Sequence, residues 1–522
     1  MKIVFFLRTF SFIILFTETL FAQTYFSRRY DFHGDNGSDY SQDILEEIDG
    51  YTLLFESQNP FLIYRLIAFQ KLDLLGNVIG IPVIYYDSNC NIQTGFPGSF
   101  IKLSGGDHYA CLATKMLWVP EGRYDRGWLM IMDNTLDTLW TKTYTDDPPH
   151  DTSIMFRNFR QLDDGGFIVT GLYNPVSGTG LFRIGLFRLD NNGNLQWKRR
   201  YGSGNIDYQA FDVTKTSDSG FVIGAVSQPP GSPYAHDNDA MIIKTDSNGM
   251  QEWISLFGNP DCLENHAMVD MASDGNIQVG IIFSDTCWSD NVWVGKINFI
   301  KVRNNKSVVW DKKYGIRKVY STLSKVKVLF DSDIIGTGWY WDYSGGTGPR
   351  VVSWIIRTDS AGNEKWYREY VLLEGNKSFN QLWNIIPTTD NGFAACGFVV
   401  PRSPDTGTQD SWVLKVDSLG CEAPNQCWVG QDKIWVKTFT PEKPFIVYPN
   451  PATDKLTLEF HINPEGAELE LFSLTGQMVL RSRVSRERDL FEWDIGRLRK
   501  GMYILKVSMP GKRPVMEKVV VE

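Results

Sequence analysis

The residues best suited to recognition chemistry in this sequence are aromatic side chains in irregular segments. Their flat rings stack on sugar rings or fill a partner's apolar pocket, and burying one contributes about 1.5–3 kcal/mol. Acidic residues accompany them at Asp237, Asp285, Asp290 and Asp342. As an alternative, individual aromatics plug a central channel or pack on neighbouring loops. The candidate ligand-binding residues are Tyr234, Trp288, Trp339, Tyr340, Trp341 and Tyr343.

Residue patterns typical of catalytic sites are absent from the sequence. The six histidines lie at positions 33, 108, 150, 236, 266 and 461, with no metal-ligand spacing between any pair. The sequence contains neither a Gly-x-Ser-x-Gly elbow nor a phosphate-binding glycine loop. Its Asp-x-x-Gly segments lack the further acidic positions of a calcium loop. We therefore expect no catalytic residues, no metal and no cofactor, and binding is favoured over catalysis.

A repeat supplies the scaffold for these residues. Asp190, Gly193 and Trp197 belong to a pattern, Asp-x-x-Gly-x-x-x-Trp, that recurs in full or in part. The Asp caps a turn and the Gly adopts a left-handed conformation, so each copy predicts a β-hairpin. The spacing of 56 to 60 residues indicates an array of similar units. The seven copies start at residues 73, 133, 190, 246, 303, 359 and 417.

A second hairpin motif repeats with the same period. It is clearest at Asp164, Asp218 and Asp390, where Asp-x-Gly-Phe precedes an apolar strand. Two hairpins per period make four strands, which is one blade of a β-propeller. Residues 25–30 resemble residues 196–201, whereas the seventh unit lacks an outer strand. The sequence therefore predicts an all-β fold: a seven-bladed β-propeller, closed by an N-terminal strand that completes the last blade.

In such a fold the tight hairpins share one face and the longer connections share the other. The irregular segments with the candidate aromatics fall in the longer connections, near residues 228–238, 284–291 and 339–350. Loops on a rigid scaffold are where binding residues concentrate. We therefore expect a ligand to bind this second face and not the face of the Asp-x-x-Gly hairpins.

The hairpin repeats of residues 24–428 resemble those of quinoprotein-like propellers and of bacterial surface propellers with Asp-Gly-Gly-Phe turns. This resemblance identifies a fold more than an activity. Quinone-cofactor dehydrogenases would imply eight blades, a vicinal cysteine pair and acidic calcium ligands. The sequence has seven repeats and no two adjacent cysteines, so it does not match that enzyme class.

The first 22 residues are typical of a signal peptide. Lys2 and Arg8 give positive charge, an apolar run extends to Phe21, and Ala22 is a small residue before a cut at Gln23. A retained membrane anchor is the alternative. No other stretch approaches the roughly 20 apolar residues of a membrane span. The net charge of −9 makes nucleic acid or an anionic membrane an unfavourable partner. We expect an exported protein without a membrane span after signal cleavage.

Because exported proteins enter an oxidising environment, the seven cysteines can form disulfides. Cys421 and Cys427 bracket a short loop that a disulfide would close, and metal binding is the alternative. Cys262 and Cys287 fall in connections on one face, where a disulfide would tie two adjacent loops together. Cys396 lies inside a predicted strand and is expected to be a buried free thiol.

The repeat stops at a linker, residues 429–445, and residues 446–522 alternate in six short strands that predict a small β-sandwich. This tail resembles the type A sorting domain of the type IX secretion system. The matching blocks are Tyr448 to Asp454, Leu471 to Gln477, Gly501 to Val507 and Lys518 to Val520. The resemblance implies that the secretion machinery recognises the tail, carries the protein across a Gram-negative outer membrane and removes the tail, with release or surface attachment. A generic adhesive immunoglobulin-like domain is the alternative.

Two functions remain open for the propeller, residues 23–428. The first is a secreted, non-enzymatic module that binds a glycan or a protein through its aromatic loops. The second is a polysaccharide hydrolase or lyase in which carboxylates around the central channel act as acid and base. The absence of a recognisable catalytic set favours the first.

Overall fold

The computed structural model describes residues 23–32, 37–58, 65–119, 122–146, 152–175, 181–228, 238–258, 264–289, 292–315, 321–343, 349–375, 377–423, 445–460, 464–473, 476–484, 490–509 and 514–522. All regular elements within them are β-strands. In these segments no helix is long and apolar enough to cross a membrane. The expected signal peptide and nearly all of the expected linker lie outside the described residues. The chain divides into two compact units, Met1–Trp435 and Val436–Glu522.

The larger unit is built from short strands. They are β1 (Phe26–Tyr30), β2 (Ser38–Glu47), β3 (Gly50–Gln58), β4 (Arg65–Asp73), β5 (Val78–Tyr85), β6 (Asn91–Thr94), β7 (Phe100–Lys102), β8 (His108–Val119), β9 (Gly122–Asp133), β10 (Thr138–Tyr144), β11 (Thr152–Gln161), β12 (Phe167–Pro175), β13 (Arg183–Leu189), β14 (Leu195–Tyr201), β15 (Asp207–Lys215), β16 (Phe221–Gln228), β17 (Asp239–Thr245), β18 (Gln251–Phe257), β19 (Asn265–Met271), β20 (Ile277–Ser289), β21 (Val292–Val302), β22 (Val308–Tyr314), β23 (Ser321–Val328), β24 (Ile334–Asp342), β25 (Arg350–Thr358), β26 (Glu364–Tyr370), β27 (Phe379–Pro387), β28 (Phe393–Val400) and β29 (Asp410–Val416).

Strands that follow one another in sequence pair antiparallel in small sheets. Strands β2–β5, β11–β14, β15–β18 and β19–β22 each form a four-stranded sheet. Strands β6–β10 form a five-stranded sheet. Its strands follow the order β10-β9-β8, and both β6 and β7 pair with β8. An eight-stranded sheet contains β23–β26 and β27–β29, joined by one bridge between Val351 and Phe379. Its last member is β1, which pairs with β29 so that Tyr30 lies opposite Ser411.

The Asp-x-x-Gly hairpins have the geometry expected from the sequence. Asp190 Oδ1 accepts hydrogen bonds from the backbone amides of Asn192 and Asn194, at 2.9 and 2.7 Å. Gly193 has a φ of 74°. In the copy that starts at residue 133, Leu136 replaces the glycine and takes the same left-handed conformation, with a φ of 71°. Glycine is therefore favoured at this position but is not required.

The glycine and tryptophan of the motif also couple neighbouring sheets. A β-carbon at Gly249 would lie 2.7 Å from the ring of Trp197, which belongs to the preceding sheet. The hydroxyl of Tyr201 donates a hydrogen bond to the Gly249 carbonyl at 2.7 Å. The equivalent bonds are Tyr144 to Gly193, Tyr314 to Gly362, Tyr370 to Gly420, Tyr30 to Gly76 and Tyr85 to Leu136. The period of the motif therefore reflects contacts between sheets as well as turn geometry.

A second set of contacts ties the Asp-x-Gly-Phe hairpin to the third strand of its own sheet. Asp390 pairs with Lys415 Nζ at 2.8 Å, and the lysine side chain is fully buried. Asp218 and Lys244 form the equivalent pair at 3.0 Å. Burial acts to raise the pKa of Asp390, but the hydrogen bond and charge of Lys415, together with hydrogen bonds from Thr388 and the Gly392 amide, hold the pKa below its usual range.

We expect Asp390→Asn to lower the free energy of unfolding by about 3 kcal/mol, because the buried Lys415 charge loses its carboxylate. The stabilisation by Asp390 is present above its unfolded pKa of about 4 and is lost as the pH falls through its lower folded pKa. Chemical denaturation at neutral and acidic pH measures both effects. Asp163→Asn is the matched control, since this carboxylate is 88% exposed beside Lys215. The control should cost less than about 1 kcal/mol, and equal losses would contradict the role of the buried pair.

The smaller unit consists of two sheets around one core. Its strands are β30 (Phe445–Tyr448), β31 (Lys455–Phe460), β32 (Glu468–Ser473), β33 (Met478–Arg483), β34 (Leu490–Asp494), β35 (Gly501–Ser508) and β36 (Val515–Val521). Strands β30, β31 and β34 form one sheet, and β33, β32, β35 and β36 form the other. Leu458, Leu469, Leu505 and Val519 come from both sheets and are fully buried in one cluster. The six strands expected from the sequence are all present, and β30 is an additional strand.

Candidate functional site

A β-bulge interrupts the first strand of several sheets in the larger unit. The register shifts past Gln42 in β2, Arg157 in β11, Phe211 in β15, Ser324 in β23 and Trp383 in β27. In β19 the irregularity covers His266 and Ala267. A bulged residue has no partner across the strand ladder, so its side chain can be directed away from the regular packing of the sheet.

An aromatic cluster connects several of these bulges. Phe96, from the segment between β6 and β7, has its ring centroid 5.1 Å from that of Phe211, which lies 4.8 Å from the His266 ring. The Arg157 guanidinium stacks 5.0 Å from the Phe96 ring centroid. The cluster borders a cavity of about 40 Å³, which we call the aromatic cavity. The residues that line it are Phe96, His266, Met268, Thr322, Leu323, Ser324, Trp339 and Trp383.

Two residues that line the aromatic cavity each have a buried polar atom with no hydrogen-bond partner in the part of the chain that the structure describes. The atoms are Nδ1 of His266 and Nε1 of Trp383. His266 also has a φ of 50°, a strained conformation for a residue with a β-carbon. Burial lowers the pKa of His266 to about 4, so the imidazole is neutral at pH 7. A neutral imidazole and an indole donor suit an uncharged hydrogen-bonding group.

A polar layer lies on the same first strands, beside the bulges. It comprises Asp43, Asn158, Arg160, Asp212, Lys325 and Asn384. The segment between β6 and β7 enters this layer, where the Gly98 amide donates to Asp43 Oδ2 at 2.7 Å. The Pro97 carbonyl accepts hydrogen bonds from Asn158 Nδ2 at 3.0 Å and from Lys325 Nζ at 2.9 Å. The segment thus links the sheets of β2, β11 and β23 through its own backbone.

The carboxylates of the polar layer are engaged by several donors. Asp43, 1% exposed, accepts from the amides of Gly98 and Phe100 and from Asn384. Asp212, fully buried, accepts from Arg160 at 2.9 Å and from Lys325 at 3.1 Å. Burial raises the pKa of Asp43. Both carboxylates are therefore buried and hydrogen-bonded within the polar layer.

The candidate residues identified from the sequence lie in different environments. Trp339 lines the aromatic cavity. The Trp341 ring packs edge-on against the Trp339 ring, with the two centroids 5.9 Å apart. Tyr340 is only 6% exposed, because alternation along β24 turns it to the opposite face and into the core. Tyr343 is 61% exposed just after β24. Tyr234 lies outside the described residues.

Two of the expected loops are partly strand. Strand β24 extends to Asp342 and β20 extends to Ser289, so Trp288 and Trp339 lie in strands and not in loops. Aromatic residues have high β-propensity, which explains why the pairing continues through these segments. The expectation that the aromatics occupy irregular loops is therefore corrected for β20 and β24.

Phe96, His266 and Trp383 were not expected from the sequence as site residues. A signal for the bulges is present in the repeats, where a polar residue precedes an apolar one at matching positions of the first strands. The pairs are Asp43-Ile44, Asn158-Phe159, Asp212-Val213, Lys325-Val326 and Asn384-Ile385. Aligning the repeats on their first strands would have located the polar layer and the bulged residues one position before it.

A larger groove, of about 430 Å³, lies between β14 and the strands β17 and β18. Met241, Ile243 and Ile254 are among the residues that line it. Met250 borders the groove at the position where the hairpin of residues 190–194 has an asparagine. Arg199, Arg200 and Gln251 add polar and charged groups to its lining. None of the candidate aromatic residues that the structure describes lines this groove.

The cysteine expectations are met in part. Cys90, Cys111 and Cys396 are buried free thiols in the described segments, as expected for Cys396. Cys421 is 2% exposed. Its expected partner Cys427 lies outside the described residues, as does Cys262, so the pairings Cys421–Cys427 and Cys262–Cys287 stay predictions.

Three solved structures illustrate what the chain is similar to. A protein of unknown function from Dyadobacter fermentans is 11% identical, with a TM-score of 0.38, covering 75% of this chain and 99% of that one. A PL25 ulvan lyase, bound to a GlcA-Rha3S saccharide, is 8% identical, with a TM-score of 0.44, covering 75% and 96%. The β-propeller domain of a trilobed protease from Pyrococcus furiosus is 10% identical, with a TM-score of 0.37, covering 72% and 93%. At this level of similarity no activity is transferred to this chain.

The sequence comparisons identify the smaller unit. A search of curated proteins returned no match to the chain. Residues 446–522 match the family model described as the secretion system C-terminal sorting domain. The matched range coincides with the β-sandwich expected from the sequence and covers all strands from β31 to β36. The protein therefore carries a secretion-system sorting domain and is a secreted protein that attaches to the cell surface.

Proposed function

We propose that residues 23–428 form a closed seven-bladed β-propeller that acts outside the cell as a non-enzymatic binding module. One bridge joins the two halves of the eight-stranded sheet, so the sheet can be divided there into β23–β26 and a group of β27–β29 with β1. The strands then make seven groups of four or five. The bond from Tyr30 to Gly76 repeats the contact made between successive sheets elsewhere. This repetition supports closure of the ring by β1.

We propose that the remaining segments of the chain serve export. Residues 1–22 act as a signal peptide that is removed before Gln23, and residues 429–445 act as a linker. Residues 446–522 present the protein to the secretion machinery, consistent with their match to the sorting-domain family. The specific machinery is the type IX system, and the tail is removed during export or surface attachment.

The observation that carries the binding function is the aromatic cavity. Its volume of about 40 Å³ exceeds the roughly 10–15 Å³ that admits one water molecule and is far below the roughly 300–1,000 Å³ of a cleft that encloses a whole small ligand. It therefore accepts one protruding group, such as a hydroxyl, while Trp339 and Trp341 supply ring surface beside it. Nδ1 of His266 and Nε1 of Trp383 are the polar atoms left to bond that group. A neutral sugar has both features, so we favour a glycan over a protein ligand.

Catalysis by channel carboxylates is the less favoured function. The innermost carboxylates, Asp43 and Asp212, are buried and hydrogen-bonded within the polar layer. An acid–base pair for a glycosidic bond needs two carboxyl groups facing the substrate from opposite sides. None of the described residues that line the aromatic cavity carries a carboxylate. We therefore expect glycan binding without formation of a shortened product.

We expect Trp339→Ala to weaken glycan binding at least about tenfold, which corresponds to about 1.4 kcal/mol, because it removes ring surface beside the aromatic cavity. A glycan array with the wild-type protein selects the probe, and titration calorimetry with that probe measures the affinity of each variant. Trp118→Ala is the matched control, since this indole is 73% exposed on β8 and does not line the cavity. Unchanged affinity in Trp339→Ala, with its folding intact, would contradict the proposed site.

A further inference from the structure

At several boundaries between sheets, a basic side chain on an outer strand bonds an asparagine of the next sheet. The asparagine directly follows the glycine of an Asp-x-x-Gly hairpin. The pairs are Arg28 with Asn77 at 2.6 Å, Lys142 with Asn194, and Lys312 with Asn363 at 2.7 Å. This contact therefore belongs to the repeat, as the bonds from tyrosine to the hairpin do.

The boundary between β14 and the sheet of β15–β18 lacks this contact. Arg199 holds the basic position there, but Met250 replaces the asparagine and offers no oxygen to a guanidinium. In the described part of the chain, Arg199 makes one hydrogen bond, from Nη1 to the Lys198 carbonyl at 3.1 Å, and its Nε is buried without a partner. Arg199 forms no ion pair with the described residues. Its charge is therefore available to a ligand.

The strand register turns Arg199 toward the next sheet. Trp197 and Tyr201 both contact Gly249 of that sheet, and Arg199 lies between them on the same face of β14. The Trp197 ring stacks on the Arg199 guanidinium, with its centroid 5.1 Å away. Arg200 points to the opposite face, where its guanidinium stacks on an aromatic ring of its own sheet. Arg199, and not Arg200, is therefore the cation that faces the groove of about 430 Å³.

The opposite wall of the groove is aliphatic. Ile243 and Ile254 lie opposite each other in the ladder of β17 and β18, so they share one face, and alternation along β17 places Met241 on it as well. Met250, 58% exposed, borders the same groove. The groove volume of about 430 Å³ is within the roughly 300–1,000 Å³ of small-molecule sites. The groove thus combines a guanidinium with an aliphatic wall.

We propose that this groove binds an aliphatic monocarboxylate, whose carboxylate pairs with Arg199 and whose chain packs against the aliphatic wall. A guanidinium presents parallel N–H groups that match the two oxygens of a carboxylate. Methionine and isoleucine side chains remove an aliphatic chain from water. The local charge favours an anion although the whole chain carries −9, because Arg199 is the middle one of three consecutive basic residues. This site is separate from the proposed glycan site, which lies at the aromatic cavity.

Titration calorimetry of the full mature chain with decanoate tests the proposal. We expect Arg199→Met to weaken decanoate binding at least about tenfold, because it removes the cation and keeps an unbranched side chain. Met250→Asn should weaken binding to a similar degree and raise the melting temperature, because an asparagine there would engage Arg199 as at the other boundaries. Lys312→Met is the matched control, since Lys312 is the equivalent cation and already bonds Asn363. This control should bind decanoate as tightly as the wild type.

Several results would overturn the proposal. One is a wild-type protein that does not bind decanoate, and another is a decanoate affinity that Arg199→Met leaves unchanged while circular dichroism shows an intact fold. Equal affinity for 1-decanol and decanoate would show that the groove does not recognise the carboxylate. Trp339→Ala should bind decanoate as tightly as the wild type, and a loss in this variant would place decanoate at the aromatic cavity instead.

Discussion

Removal of residues 446–522 is expected to reduce the amount of protein outside the cell at least about tenfold, while the larger unit remains folded. These residues match the sorting-domain family and form a compact unit separate from the rest of the chain. They have their own buried core, so their loss should not expose the core of the larger unit. Immunoblots of culture fluid, cell surface and periplasm in the native host measure the distribution, and we expect the truncated protein in the periplasm.

A fusion provides the complementary control for export. Residues 429–522 joined to an unrelated reporter with a signal peptide should carry the reporter to the outside. Leu469→Asp in the same fusion should block this, because it places a charge in the fully buried cluster of the smaller unit. Normal export of the truncated protein would refute the sorting role of the tail.

Deletion of residues 24–31 is expected to lower the free energy of unfolding of the larger unit by at least about 6 kcal/mol. The deletion removes Phe26 and Tyr30, each only 7% exposed, and losing one large buried aromatic side chain costs about 3–5 kcal/mol. It also removes the strand that covers the edge of β29 and its contact with Gly76. Chemical denaturation followed by tryptophan fluorescence measures the loss. Unfolding at an unchanged denaturant concentration would contradict closure of the ring by β1.

Single substitutions test closure with less disturbance. Tyr30→Phe removes the bond to Gly76, and Tyr201→Phe removes the equivalent bond to Gly249 within the array. If β1 completes the last blade, both variants should lose about 1 kcal/mol. Tyr86→Phe is the control, because this side chain is 66% exposed. A loss in Tyr201→Phe without one in Tyr30→Phe would indicate that β1 does not make an equivalent boundary.

Local features of the fold were predictable because they depend on a few consecutive residues. The Asp190 cap and the positive φ of Gly193 lie within one hairpin, and the sequence pattern predicts both. The contacts of Trp197 and Tyr201 with Gly249 involve residues about 50 positions apart. Turn geometry, which explains the motif from the sequence alone, does not predict these contacts.

The candidate site was less predictable because its contacts join distant strands. Asn384 bonds Asp43 across 341 residues, and Lys325 reaches the carbonyl of Pro97 across 228. Nothing in the local pattern indicates that the segment of Phe96 enters the interior. The sequence predicts Trp339 as a site residue for its ring surface, whereas His266 has no metal-ligand spacing to another histidine and is not predicted as a site residue. Its strained backbone and unpaired Nδ1 appear only in the folded chain.

Hydrogen–deuterium exchange of the wild-type protein, with and without a glycan selected on the array, tests the central claim most directly. If the aromatic cavity binds the ligand, exchange should slow in peptides that contain His266, Trp339 and Trp383. Exchange in the hairpin of residues 190–194, which we expect on the opposite face of the proposed propeller, should stay the same. Slower exchange confined to the Asp-x-x-Gly hairpins, with the cavity peptides unchanged, would contradict the account.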